Sequence, residues 1–353
     1  MTPLADLSNN ESFSGLNWRG SAHAGADLKG IQISASDLSG ADFSRADLQG
    51  ACFSNVDCRK VNFSGARLKL AQFKGCLLSR SVWRSCDLQG ARFLECNLSD
   101  SDFRLSEMQG FVLSLCDMRS ANLAGCDLED SIFEGVDLTD SCLLQAKLLK
   151  TTMTGSNLFR AILLEAEISD ANISSCNLSK TTSPGLLVIR SKLSGTNFRL
   201  ADLSKARFES SDISTSNFER ASLQGVEFSS VTALEANFEF CDMRSARFVS
   251  AELTRSNLVG AALSGARASQ SSFEDVDLFW SEMVGFVHAG CKFNGARWPE
   301  EARIVHTLGS ITPPHLVPEP LYRPATTEDA RGKLLEAYLG PSAHPPNNPS
   351  TLS

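Results

Sequence analysis

Large apolar residues recur at every fifth position of this chain. From Leu28 to Trp298 each fifth residue is Leu, Ile, Val, Met, Phe or Trp, and the exceptions are Cys58, Ser183, Ala233, Ala268 and His288. Two residues earlier in each unit stands Ala, Ser, Cys, Thr or Val, except at Ile31, Phe111, Leu186 and Phe286. The unit is therefore small, polar, large apolar, polar, polar, and its frame does not slip. Period five matches neither the 3.6 of a helix nor the simple alternation of a long strand. Two inward residues around one outward residue make a very short extended piece. The polar pair that follows, often containing Gly, Ser or Asn, turns a corner.

Such units must stack. Fixing five residues costs roughly 5 to 10 kcal/mol of backbone entropy at about 1 to 2 each. Burying one Leu or Phe returns only about 1.5 to 3 kcal/mol. Stacked coils add ladder hydrogen bonds and continuous side-chain columns, the economy of a solenoid.

The stretches ADFSR (41–45), ADLQG (46–50), ANLAG (121–125) and ADLSK (201–205) carry the unit in its plainest form. They resemble the A(D/N)LXX unit of the pentapeptide-repeat family, and the resemblance covers residues 26–298. It implies an all-β fold: a right-handed quadrilateral parallel β-helix with twenty residues per coil.

The aromatic residues support an even number of sides. Of the eleven central residues ending in 3 from Ile33 to Phe133, eight are aromatic, and none ending in 8 from Leu38 to Leu138 is. The phase inverts later: Phe198, Phe208, Phe218, Phe228, Phe238 and Phe248 take the other class. Between the two blocks lies TTSPGLLVIR (181–190), with Ser183 at a central site and Pro184 beside Gly185. Pro-Gly marks a turn, and removing five residues would return the Phe columns to their first faces. The expectation is a loop of about five residues near 181–190; the alternative is that the two halves prefer different columns.

Solenoid ends need covering, because they present unpaired strand edges. Residues 1–25 are a degenerate run that serves as an N-terminal cap. The tail, 299–353, holds ten of the twelve prolines and cannot continue the ladder. Within it a short C-terminal helix is expected at about 327–339, with Thr326 or Thr327 as N-cap and Gly340 and Pro341 as the stop. Leu334, Leu335, Tyr338 and Leu339 would give that helix an apolar side for capping the last coil or for a homodimer.

Composition narrows the function. A net charge of −8 over 353 residues argues against nonspecific binding to nucleic acid or to an anionic membrane. No run of eighteen apolar residues occurs, and Asp6 and Glu11 fall where a secretory signal needs basic then apolar residues. Eight of the eleven cysteines occupy the small position of the unit and read as small hydrophobes, which fits a reducing, cytoplasmic setting. Cys76, Cys96 and Cys116 should stack in successive coils as packing, not as a metal or redox site.

Catalytic chemistry is hard to find. No His lies between His23 and His288, and His288 itself falls in a core column as a tolerated interior residue. The recurring Asp before the central residue more simply bonds its own turn than pairs with another carboxylate. No phosphate loop or nucleophile elbow occurs, so no cofactor, metal or catalytic residue is assigned.

Surface charge remains. Residues 58–86 contain Arg59, Lys60, Arg67, Lys69, Lys74, Arg80 and Arg84 without an acid, and Lys60 should lie under Arg80. Residues 127–140 are acidic without a base, and twenty-residue stacking aligns Asp87, Glu107 and Asp127. The first reading is a non-enzymatic interaction scaffold, a rod of roughly fourteen coils and about 65 Å that binds a protein partner through charged rows. The family resemblance supplies a second: acidic rods that imitate DNA, bind gyrase or another type II topoisomerase and protect it from inhibitors. A third is an effector delivered to a host.

Overall fold

The computed structural model describes residues 10–299. Its regular elements are three-residue strands, one per coil. Seven of them, β1 to β7, are Ser12–Ser14, Gln32–Ser34, Cys52–Ser54, Gln72–Lys74, Arg92–Leu94, Val112–Ser114 and Ile132–Glu134. Eight more, β8 to β15, are Lys147–Leu149, Glu167–Ser169, Leu187–Ile189, Arg207–Glu209, Glu227–Ser229, Arg247–Val249, Arg267–Ser269 and Val287–Ala289. Each set forms one parallel sheet in chain order. The register is twenty residues throughout, as in Phe53 beside Phe73 and Phe208 beside Phe228.

The other faces are joined by single bridges with the same offset, for example Asn17 to Asp37, Ala22 to Asp42 and Asp27 to Asp47. The result is a four-sided parallel β-solenoid, and the described residues contain no helix. Each coil donates upward and downward: Leu38 N–H reaches Asp57 O at 2.8 Å, while Asp57 N–H reaches Ser36 O at 2.9 Å. Every backbone group spent on a neighbour is one that water need not satisfy.

Corners are made by a single device. Every fifth residue from Asn10 to Gly295 has a φ between 46° and 71°, the left-handed region. Gly supplies it at many corners, but Leu70, Phe240 and Trp280 adopt it too, where a Cβ makes it costly. The preceding Asp or Asn stabilises the turn as expected: Asp37 Oδ1 accepts from Ser39 N–H at 2.9 Å, and Asn62 Oδ1 from Ser64 N–H at 3.1 Å.

The interior is filled. Phe43, Phe63, Trp83 and Phe103 form one ring column, and Phe53, Phe73 and Phe93 stack on the opposite wall with centroids 4.6 Å apart. In the later coils Phe198, Phe218 and Phe238 stack on one wall and Phe208, Phe228 and Phe248 on another. Exceptions to the frame compensate one another: Phe111 at a small site meets Phe93 at 5.1 Å, beside the central Leu113.

The expected loop at 181–190 is not formed. Ser183 N–H bonds Asp202 O and Gly185 N–H bonds Ser204 O, both at 2.8 Å, and Leu187–Ile189 pairs in register with the coils on either side. The physical reason lies in the corner itself. Pro184 and Gly185 occupy the two turn positions of an ordinary unit, where Pro fixes φ and Gly, at +70°, takes the left-handed step. The small Ser183 and the large Leu186, both fully buried, exchange volumes within the coil. The two halves carry their aromatic rings on different walls with no residue extruded. The helix expected at 327–339, with Leu334, Leu335, Tyr338 and Leu339, lies outside the described residues.

Candidate functional site

A filled rod leaves only its outer walls for recognition. The basic residues that are contiguous in sequence do not stay together, because twenty residues carry the chain once around. Arg84, Lys69 and Lys74 fall on three different corners, away from Arg59, Lys60 and Arg80. Lys74 ends β4, exposed, and Arg84 is paired with Asp102 at 2.5 Å. Asp102 also takes Arg104 at 2.8 Å; burial, which alone would raise its pKa, is outweighed by these two partners, and the carboxyl is held below its ordinary range.

Arg59, Lys60 and Arg80 do share one corner. Lys60 N–H bonds Ser79 O at 3.0 Å, which seats Lys60 beneath Arg80 as expected. Arg59 is clamped by Asp57, with Nε 2.9 Å from Oδ1 and Nη2 2.5 Å from Oδ2, and these bonds depress the Asp57 carboxyl. Arg80 faces Asp100 at 3.5 Å. Lys60 makes no ion pair with a described residue. A shallow depression of about 270 Å³ is lined by Arg19, Ser39, Gly40, Arg59 and Lys60. Arg19 lies outside the basic run at 58–86 but forty residues before Arg59, two coils away on the same corner.

The acidic column forms as expected but is short. Asp87 bridges to Glu107 and Glu107 to Asp127, while Arg67 precedes Asp87 and Lys147 follows Asp127 in the same row. Gln89 donates to Glu107 at 3.1 Å and Gln109 to Asp127 at 2.8 Å, so the carboxylates are knitted by amides along the wall.

The interior is occupied by packed side chains. Cys76, Cys96 and Cys116 are buried in successive coils, and each Sγ lies 3.3 to 3.5 Å from two backbone carbonyl oxygens, either of which can accept its single S–H. Cys96 is raised by the hydrogen bonds of Cys116 and Cys76 and by burial, and burial pushes Cys86 and Cys126 up to about 12. Among the described residues no group of His, Cys, Asp and Glu could hold a metal ion, and no helix is long and apolar enough to cross a membrane. His23 is buried against Phe43 at 4.8 Å with its Nε2 2.7 Å from Ser21 Oγ, and burial lowers its pKa. His288 pairs with Ala268 in the interior column and stacks edge-on to Phe293 at 5.1 Å.

The model of a pentapeptide repeat region matches residues 26–103 and 189–258, and that of pentapeptide repeats in eight copies matches residues 116–155. A search of the curated proteins gives no match. Among solved structures, full-length QnrB1, a plasmid-mediated fluoroquinolone resistance protein, is 23% identical with a TM-score of 0.33, over 54% of this chain and 94% of that one. HetL, involved in heterocyst differentiation regulation in the cyanobacterium Nostoc, is 22% identical with a TM-score of 0.20, over 82% of this chain and 92% of its own.

Proposed function

The chain belongs to the pentapeptide-repeat family, and from that premise we propose that it is a non-enzymatic scaffold that binds a protein partner at the Arg19, Arg59, Lys60 and Arg80 corner. One observation carries the reading: in a rod whose interior is packed solid, Lys60 is a cation with no described ionic partner, set in a depression with two arginines. An acidic segment of a partner would supply the missing charge, and the rigid rod would hold these cations at fixed spacing.

Extended imitation of duplex DNA is the weaker reading. Asp87, Glu107 and Asp127 span two coil steps, about 9.6 Å, over which a duplex carries roughly six charges at one per ~1.7 Å. The column has three, with Arg67 and Lys147 at its ends. A supercoiling assay with gyrase, titrated with the protein to micromolar levels, tests it, and no effect removes it. For the scaffold, affinity capture is run with the native protein and with Lys60→Glu/Arg80→Glu. Loss of a captured partner in the variant is expected; an unchanged profile would show that this corner is not the contact.

A further inference from the structure

The same corner changes character farther along the rod. Leu200, Phe240 and Trp280 stand on alternate coils of one row, 39%, 44% and 55% exposed. All three adopt the left-handed turn conformation, with φ of 60°, 55° and 60°. A bulky apolar side chain in that conformation, outside the core, bears a conformational cost without the full return of burial. Gly260 is fitted to this row: a Cβ there would lie 2.4 Å from the Phe240 ring, which rests on the space the glycine leaves. Phe279 stacks on Trp280 at 4.8 Å and broadens the apolar edge.

We propose that the Leu200, Phe240 and Trp280 edge docks a proline-rich segment of a partner protein, in polyproline II conformation and carrying acidic residues. It is independent of the Lys60 corner. Spacing is the first argument. Alternate coils are about 9.6 Å apart, and one three-residue turn of polyproline II advances about 9.3 Å. Across the two steps that join the three apolar residues the mismatch stays near ~0.6 Å. Two turns of an α-helix advance about 10.8 Å and drift by roughly 2.4 Å over the same span. A β-strand repeats its facing side chains every ~6.6 Å and misses the steps.

Charge is the second. Arg220 stands between Leu200 and Phe240, its guanidinium 5.7 Å from the Phe240 ring and its Nε 3.7 Å from Glu219; one step below, Lys180 lies 5.5 Å from the Phe159 ring, and Arg160, 5.1 Å from the same ring, is paired with Asp140. Aromatic surface flanked by cations suits proline rings interrupted by carboxylates. Single-stranded nucleic acid fits less well. Arg297 lies 4.0 Å from the Phe279 ring and covers the face on which a base would stack.

The test is fluorescence anisotropy with the full chain and three labelled probes: a peptide of repeating Pro-Pro-Glu, an equally acidic alanine-based helical peptide, and an oligo(dT) strand. The proposal expects saturable binding of the Pro-Pro-Glu peptide alone, weakened about tenfold or more by Phe240→Ser/Trp280→Ser. Arg220→Glu should weaken Pro-Pro-Glu and strengthen a Pro-Pro-Lys peptide, which separates recognition from any loss of folding. The same titrations on Lys60→Glu/Arg80→Glu remove any acidic-peptide binding at the corner proposed above, and the selectivity that counts here is the one this variant retains, so failure of the scaffold site leaves this one standing. Absence of saturation, equal binding of the helical peptide, preference for oligo(dT), or indifference to Phe240→Ser/Trp280→Ser would overturn it.

Discussion

Removing one ring from the interior column tests whether that column holds the rod together. Phe73 is 1% exposed, stacked between Phe53 and Phe93 at 4.6 Å on each side, and approached edge-on by Trp83 at 5.5 Å. A buried Phe→Ala change costs about 3 to 5 kcal/mol, and each lost ring pair adds roughly 0.5 to 1.5 beyond area. The site cannot collapse to recover the volume, because Phe73 lies in β4, whose backbone is laddered to β3 and β5. Phe73→Ala should therefore fall near the upper end, about 4 to 5 kcal/mol. Phe73→Leu keeps most of the volume but loses the two stacked ring pairs, and should cost about 1 to 3 kcal/mol. Urea denaturation, with hydrogen exchange to catch coils that open separately, measures both. A Phe73→Ala loss under about 1.5 kcal/mol, or equal losses for the two variants, would refute the packing argument.

The depressed carboxyls make the rod sensitive to acid. Asp57 and Asp102 keep their folded-state pKa below the unfolded value, so their contribution is present above about pH 4 and is lost as pH falls through the folded pKa. Urea midpoints at neutral pH and near pH 3 should differ less in Asp102→Asn than in the native protein. Among the cysteines, only the partly exposed Cys52 and Cys291 should react rapidly with iodoacetamide near pH 8, and mass spectrometry of timed samples would show fast labelling of Cys86 or Cys126 if burial were incomplete. Gly260→Ala should destabilise by about 1 to 2 kcal/mol. Part of that loss should vanish in Gly260→Ala/Phe240→Ala, as a double-mutant cycle would detect.

The fold was legible because burial selects for it at every unit: a central residue such as Leu38 or Phe43 cannot be polar without opening the column. The corners were less legible, because left-handed turn positions tolerate Leu70, Arg80 or Phe240 as well as Gly once the ladder fixes the backbone. Pro184-Gly185 was correctly a turn and wrongly a loop, since each unit already requires one turn and the pair merely fills it. Asp87, Glu107 and Asp127 aligned because a twenty-residue offset suffices to place them. Reading basic residues along the chain misled, as Lys69 and Lys74 turn to other walls. Arg19 and the Leu200, Phe240 and Trp280 edge emerge only when residues are read around the rod instead.

All of these placements depend on an unbroken twenty-residue winding, and residues 181–190 are where that winding is most exposed to test. Amide hydrogen exchange of this segment, compared with 171–180, reports on it directly. Protection of Ser183, Gly185, Leu187 and Arg190 equal to that of the preceding coil is the expected result, because each amide donates to an adjacent coil. Exchange at the rate of an unprotected loop would contradict the winding and move every later residue to another face.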